Sequence, residues 1–162
     1  MAPLGEDTLT KVSTNAATEF VQSFYPALQS NRASISSFYS QPTSTIIFNG
    51  NVVADGSAVQ EIFVNQMPQT HYEVQSFDCQ IINPTYPTPT TNGVKSPQET
   101  TAKDLSILVV TSGFVRFGES RDLPQRGFSE TFVLVPNPSA DAPKGKRRRE
   151  WLIQTQTFRL VV

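Results

Sequence analysis

The stretch DLSILVVTSGFVRF, Asp104 to Phe117, alternates between apolar and polar on neither face. In a strand, Leu105, Ile107 and Val109 point to one side and Leu108 and Val110 to the other, so both sides call for burial. A strand of this kind belongs in a parallel sheet covered by helices on two faces, or in a sheet with helices on one face and another protein on the other. Helical patterns lie almost entirely before residue 68 and only strands follow, which leaves too little helix for both faces. One apolar face is left for a partner.

Upstream, Leu9, Val12, Ala16, Phe20, Phe24 and Leu28 recur at steps of three and four and predict a long amphipathic helix from Asp7 to about Arg32. Asp7 or Thr8 can cap it, and Pro26, lacking an amide donor, should bend its last turns. A short second helix carries Ile35, Phe38 and Tyr39 and stops at Gln41-Pro42. In STIIFNGNVV, Asn49-Gly50 joins two β-branched runs and takes the positive φ angles of a tight hairpin, pairing 44–48 with 51–54. Ser57 and Gln60 read as a capping box for a third helix with buried stripe Val59, Ile62, Phe63 and Met67.

Downstream, a long strand runs from His71 to about Ile82, followed by an exposed loop at about 83–103 in which Pro, Thr, Asn and Gly dominate. The opening strand, a turn at Ser112-Gly113, a strand from Phe114 to Phe117, and the strands 127–135 and 151–162 complete the sheet. A second polar loop spans about 136–149. The whole reads as an α+β layer design in one domain, 1–162, with three helices packed on a strongly bent, mainly antiparallel sheet.

Composition narrows the function. The net charge of −1 hides a segregation, because five of the 13 basic residues fall in KGKRRR, 144–149. Lys144, Lys146, Arg147, Arg148 and Arg149 make a basic patch on an acidic chain, open to three readings: a phosphate or RNA contact, a short nuclear import signal, or a solvated loop. It contains no aromatic side chain for base stacking. The single Cys79 excludes an internal disulfide or a multi-cysteine zinc site and suits a reducing compartment. No apolar run nears the ~18 residues of a membrane span, and the first ten residues lack the pattern of a signal peptide. No cofactor or metal motif is present.

Candidate catalytic groups are few. His71, Asp78, Tyr39 and Tyr72 could supply an acid and a base, but nothing in their spacing pairs them, and the tyrosines read equally as core aromatics with wet hydroxyls. Two charges sit oddly: Asp78 between Phe77 and Cys79, and Arg159 between Phe158 and Leu160. Either they pair with each other, or they face solvent or a partner's charges.

The order helix, helix, hairpin, helix, four strands resembles the nuclear transport factor 2-like fold. Within it, FNGN at 48–51, FDCQ at 77–80, LVVTSGFVRF at 108–117 and W-x-I-x-x-x-x-FR at 151–159 resemble the small subunit of the heterodimeric nuclear mRNA export receptor of fungal type. The resemblance covers residues 7–162 apart from the two polar loops. It implies a non-catalytic subunit that pairs sheet to sheet with a large subunit's related domain, with Asp78 and Arg159 in ion pairs across that interface. It further implies nuclear pore passage through phenylalanine-glycine repeats contacted by the complex, shuttling between nucleus and cytoplasm, and RNA or pre-ribosomal cargo. Two rivals share the fold. One is a homodimeric transport factor carrying the small GTPase Ran, whose Ran-binding acid corresponds to Asn49 here. The other is a small lyase or isomerase similar to scytalone dehydratase or ketosteroid isomerase.

Overall fold

A computed structural model of the chain describes residues 5–42, 45–82, 104–140 and 149–161. Helix α1 spans Glu6–Ser30. Of the predicted stripe it buries Ala16, Phe20, Phe24 and Leu28, together with Ala17, Val21 and Tyr25 beside it, while Leu9 and Val12 at its start are half-buried. The expected cap at Asp7 or Thr8 is not used: the helix starts a residue earlier behind Gly5, with no side chain closing its first turn, and Leu9 donates to the Gly5 carbonyl. Its two leading acids, Glu6 and Asp7, lie where the helix dipole favours negative charge. The second helix, Arg32–Phe38, is a 3-10 helix.

The hairpin forms as read. β1 (Thr45–Phe48) and β2 (Asn51–Val53) meet at Asn49 and Gly50, whose φ angles are 48° and 89°. Asn49 also ties the turn to the sheet, its backbone N–H donating to Phe158 O at 2.8 Å and its side-chain oxygen accepting from Leu160 N. Helix α2 (Gly56–Glu61) widens into a π-helical turn, Ile62–Gln66. The predicted Ser57/Gln60 capping box is replaced by Asp55, whose carboxylate accepts from Ala58 N at 2.8 Å, while Gln60 accepts from Ser36 N across to the 3-10 helix. Asp55 takes the role because its backbone is extended and Ser57 already lies inside the helix.

β3 (Thr70–Ile82), β4 (Ser106–Phe117), β5 (Arg126–Pro136) and β6 (Trp151–Leu160) complete one six-stranded sheet in the order β2-β1-β6-β5-β4-β3. Only the β1–β6 contact is parallel, so the sheet is mixed. The expected turn at Ser112-Gly113 is absent, since β4 runs unbroken through it. Gly113 serves a different end: a Cβ there would stand 1.9 Å from the Glu73 carbonyl, where the β3–β4 register shifts between Val74 and Ser76. Glycine lets the two backbones close up at this bulge.

The core lies between the helices and the inner sheet face. Phe24 stands edge-on to Phe38 and to Phe132 at 5.2 and 5.4 Å, and Phe20 meets Phe132 at 4.8 Å. Arg32 locks the helices to the start of β3. Its Nε donates to Leu28 O, one terminal nitrogen to Phe63 O and Met67 O, and the other to Pro68 O and Thr70 Oγ1, at 2.5–3.2 Å. The guanidinium's donors are thus matched to the carbonyls that a helix end and a π-turn leave open.

Candidate partner-docking face and the polar core behind it

Strand parity divides the sheet. Leu105, Ile107 and Val109 are fully buried against the helices, whereas Val110 and Phe114 on the other face of β4 are 38% and 37% exposed. The registers carry that outward face across the strands, with one row running Asp78, Val110, Thr131, Thr157, Ile47 and Val52. A second row holds Gln80, Leu108, Val133 and Thr155, and a third Ser76, Ser112, Ser129 and Arg159. Apolar side chains and small hydroxyls alternate over a broad surface whose charged residues include Asp78 toward one side and Arg159 toward the other. The second apolar face anticipated for Asp104–Phe117 is therefore present and open.

Asp78 and Arg159 are both exposed and form no ion pair among the described residues. The intrachain pair is excluded by topology: β4 and β5 stand between their strands, a gap of three strand spacings or roughly 14 Å. Asp78 instead accepts from the backbone N–H of Cys79 at 2.8 Å, on the edge strand β3. His71 lies near the start of β3, paired in register with Arg116.

Behind this face is a polar cluster that the sequence reading did not anticipate. Glu130, 1% exposed, projects from β5 into the core. Tyr25 of α1 donates to Glu130 Oε1 at 2.7 Å, and Gln156 of β6 donates to Oε2 at 2.8 Å. Tyr39 donates in turn to Gln156 Oε1, and Thr111 of β4 lies 2.6 Å from the Tyr25 hydroxyl. Burial pushes the Glu130 carboxyl up to about 7 against the opposing pull of the Gln156 and Tyr25 hydrogen bonds. Burial, and then the neighbouring Glu130 charge, push the phenols of Tyr25, Tyr39 and Tyr72 well above their ordinary value. Of the four catalytic candidates read from sequence, Tyr39 joins this cluster through Gln156 and Tyr72 packs beside Tyr25, with ring centroids 5.3 Å apart, whereas His71 and Asp78 lie outside it. The missed residue had a signal: Phe128, Glu130, Phe132 and Leu134 share one parity, and that parity is buried.

The basic run divides as well. Lys144, Lys146, Arg147 and Arg148 lie outside the described residues, as does the loop 83–103. Arg149 is described, and it is half-buried with its guanidinium carbon 3.4 Å from the centroid of Phe38. Burial lowers its pKa, partly offset by Glu19. Asn137 clasps the loop base, its side chain donating to Arg149 O at 2.7 Å and its backbone N–H to Glu150 O at 2.8 Å. Arg149 is thus anchored on the helical layer through its stack on Phe38. Among the described residues no group of three or more His, Cys, Asp or Glu is placed to hold a metal, and no helix is long and apolar enough to cross a membrane.

Helices packed on one face of an open mixed sheet, with the other face apolar, hydroxyl-bearing and charged, define an α+β protein with a surface suited to sheet-to-sheet association. The chain belongs to the nuclear transport factor 2 domain family, whose model matches residues 16–160. It is 26% identical to NTF2-related export protein 1 of Bos taurus over 159 residues, covering 98% of this chain and 96% of the relative. A chain in the Chaetomium thermophilum complex of the Mex67 NTF2-like domain with Mtr2 matches with a TM-score of 0.70 at 24% identity, over 93% of this chain and 99% of its own length. A chain in the complex of a Sac3N peptide with Mex67:Mtr2 matches at 0.71 and 22% identity, with the same coverage. At these identities the structural likeness is one of fold.

Proposed function

We propose that this chain is the small subunit of a heterodimeric nuclear export receptor, docking through the outward face of its sheet on a large subunit's related domain. The observation that carries the reading is that face, where half-exposed Val110 and Phe114 accompany Asp78 and Arg159, two charges with no ion-pair partner among the described residues. A soluble sheet with no partner would place polar residues there. The Bos taurus relative's name and the Mex67 and Mtr2 complexes point the same way. In this role the pair supports passage of mRNA, and of pre-ribosomal cargo, through the pore by contacts of the complex with phenylalanine-glycine repeats, and the subunit shuttles between nucleus and cytoplasm. Asp78 and Arg159 form ion pairs with the large subunit, and Lys144, Lys146, Arg147 and Arg148 supply phosphate contacts to RNA.

The role is binding rather than catalysis. Glu130 accepts from Tyr25 and Gln156 inside the core, and Tyr39 donates to Gln156, so these acid and base groups are engaged in structural hydrogen bonds. Asn49 stands where a Ran carrier has an acid, and here its side chain holds the hairpin to β6. The test is the mass of the purified chain alone and after co-expression with candidate large subunits. A 1:1 complex is expected, and a stable homodimer that ignores every large subunit would overturn the proposal.

A further inference from the structure

On the outward face, Gly127 places a position with no side chain between larger neighbours. Gly127 of β5 pairs with Phe114 of β4 on one side, and on the other its carbonyl accepts from Val161 N at 2.8 Å. Phe128, its neighbour, points into the core, so position 127 points outward. With no side chain there, a notch opens between Phe114 and Val161, which is 59% exposed. A Cβ at 127 would touch only Val161, at 3.5 Å, so space and not backbone conformation distinguishes the position.

The rim of the notch is cationic. Arg159 precedes Val161 by two residues on the same face of β6 and is exposed, and Arg116 follows Phe114 by two on the same face of β4. Glu73, paired in register with Phe114, supplies one nearby acid, but neither arginine forms an ion pair with it. Arg116 makes no side-chain hydrogen bond among the described residues, and its Nε is enclosed without an acceptor. Swinging toward an incoming carboxylate therefore breaks no hydrogen bond and relieves an unsatisfied donor.

We propose that the Gly127 notch, walled by Phe114 and Val161 and rimmed by Arg116 and Arg159, is a socket for a large apolar side chain of the partner subunit that is flanked by carboxylates. This rests on the heterodimer reading and adds where on the face the binding is concentrated. An apolar knob seated between an aromatic and a valine, with charge-assisted pairs at its rim, has the make-up of an interface hot spot. Acidic flanks are chosen by the rim, since a cationic partner segment would face two unpaired arginines.

The test titrates the large subunit's related domain against wild type, Gly127→Leu, Gly127→Ala, Arg116→Gln and the off-face control Val64→Ala, with a thermal melt of each chain. Gly127→Leu fills the notch and should weaken binding at least tenfold, and Gly127→Ala two- to threefold, with melting temperatures close to wild type. Arg116→Gln should weaken binding three- to tenfold and make it less sensitive to salt, and Val64→Ala should change nothing. If wild type binds and both Gly127 variants bind equally well, the socket is wrong while the heterodimer stands. If wild type binds no large subunit, the socket falls together with the heterodimer reading. Should Gly127→Leu fail to fold, Gly127→Ala and Arg116→Gln decide.

Discussion

Asp78 and Arg159 share the outward face of one sheet but are held apart by the whole width of β4 and β5, so neither can neutralise the other. Neither has an ion-pair partner among the described residues. Arg159→Ala should leave the melting temperature of the isolated chain within about a degree, because it removes no side-chain hydrogen bond or ion pair among the described residues. Binding to the large subunit should fall by about 2 to 5 kcal/mol, roughly 30-fold to several thousand-fold. Arg159→Asp should be worse, and an acid-to-arginine change in the partner should recover part of the loss. Unchanged affinity for Arg159→Ala would remove this residue from the interface.

Glu130 makes stability depend on pH. Its carboxyl titrates at about 7 in the folded chain against an ordinary 4.5, so the folded state holds the proton more tightly than the unfolded state. The resulting stabilisation is full below pH 4.5 and is lost as pH rises through 7, a swing on the order of 3 kcal/mol. Glu130→Gln can keep the cluster, with the new amide donating to Tyr25 while Tyr25 turns its proton to Thr111. Unfolding in urea at pH 5.5 and 8.5 should show the wild type weakening with pH and the variant changing far less. Equal pH slopes would show that Glu130 does not carry the effect.

Arg32 concentrates five hydrogen bonds on one side chain where α1, the π-turn and β3 meet. Arg32→Ala leaves several carbonyls without donors and should cost about 3 kcal/mol. Arg32→Lys should restore less than half of that, since an ammonium cannot spread over the same acceptors. Chemical denaturation of the three chains measures both differences, and full rescue by lysine would mean that charge alone matters.

Two roles are expected within the single basic run. Replacing Lys144, Lys146, Arg147 and Arg148 by Ser should leave the melt unchanged while weakening RNA binding and flattening its salt dependence. Arg149→Ser removes the stack on Phe38 and should destabilise the fold by about 1 kcal/mol. RNA titrations at several salt concentrations, run beside melts, separate the two; an unchanged salt slope in the quadruple variant would make the run a solvated connector.

Periodic features were legible in the sequence. The α1 stripe and the Asn49-Gly50 hairpin follow from local spacing and turn chemistry, and the doubly apolar β4 announced an open sheet face. What failed depended on contacts distant in sequence. Ser112-Gly113 has the composition of a turn, and only the approach of Glu73 from β3 explains a glycine in mid-strand. Arg149 reads as one more cation until Phe38 is placed beneath it. Glu130 was recoverable by following parity, but its partners Tyr25, Thr111 and Gln156 come from three other elements, and no local pattern joins them.

The strand order also sets a timetable for synthesis. β1 has Thr45 beside Thr155 of β6, and β5 needs β6 on its other side, so the strand latest in sequence among those described sits in the interior of the sheet. Until Trp151–Leu160 leave the ribosome, the β1–β2 hairpin and β5 each present an unpaired edge, and the outward apolar face stays bare throughout. A nascent chain of this topology stays vulnerable until β6 emerges and seats itself between β1 and β5, and a large subunit already made and waiting would shorten that interval.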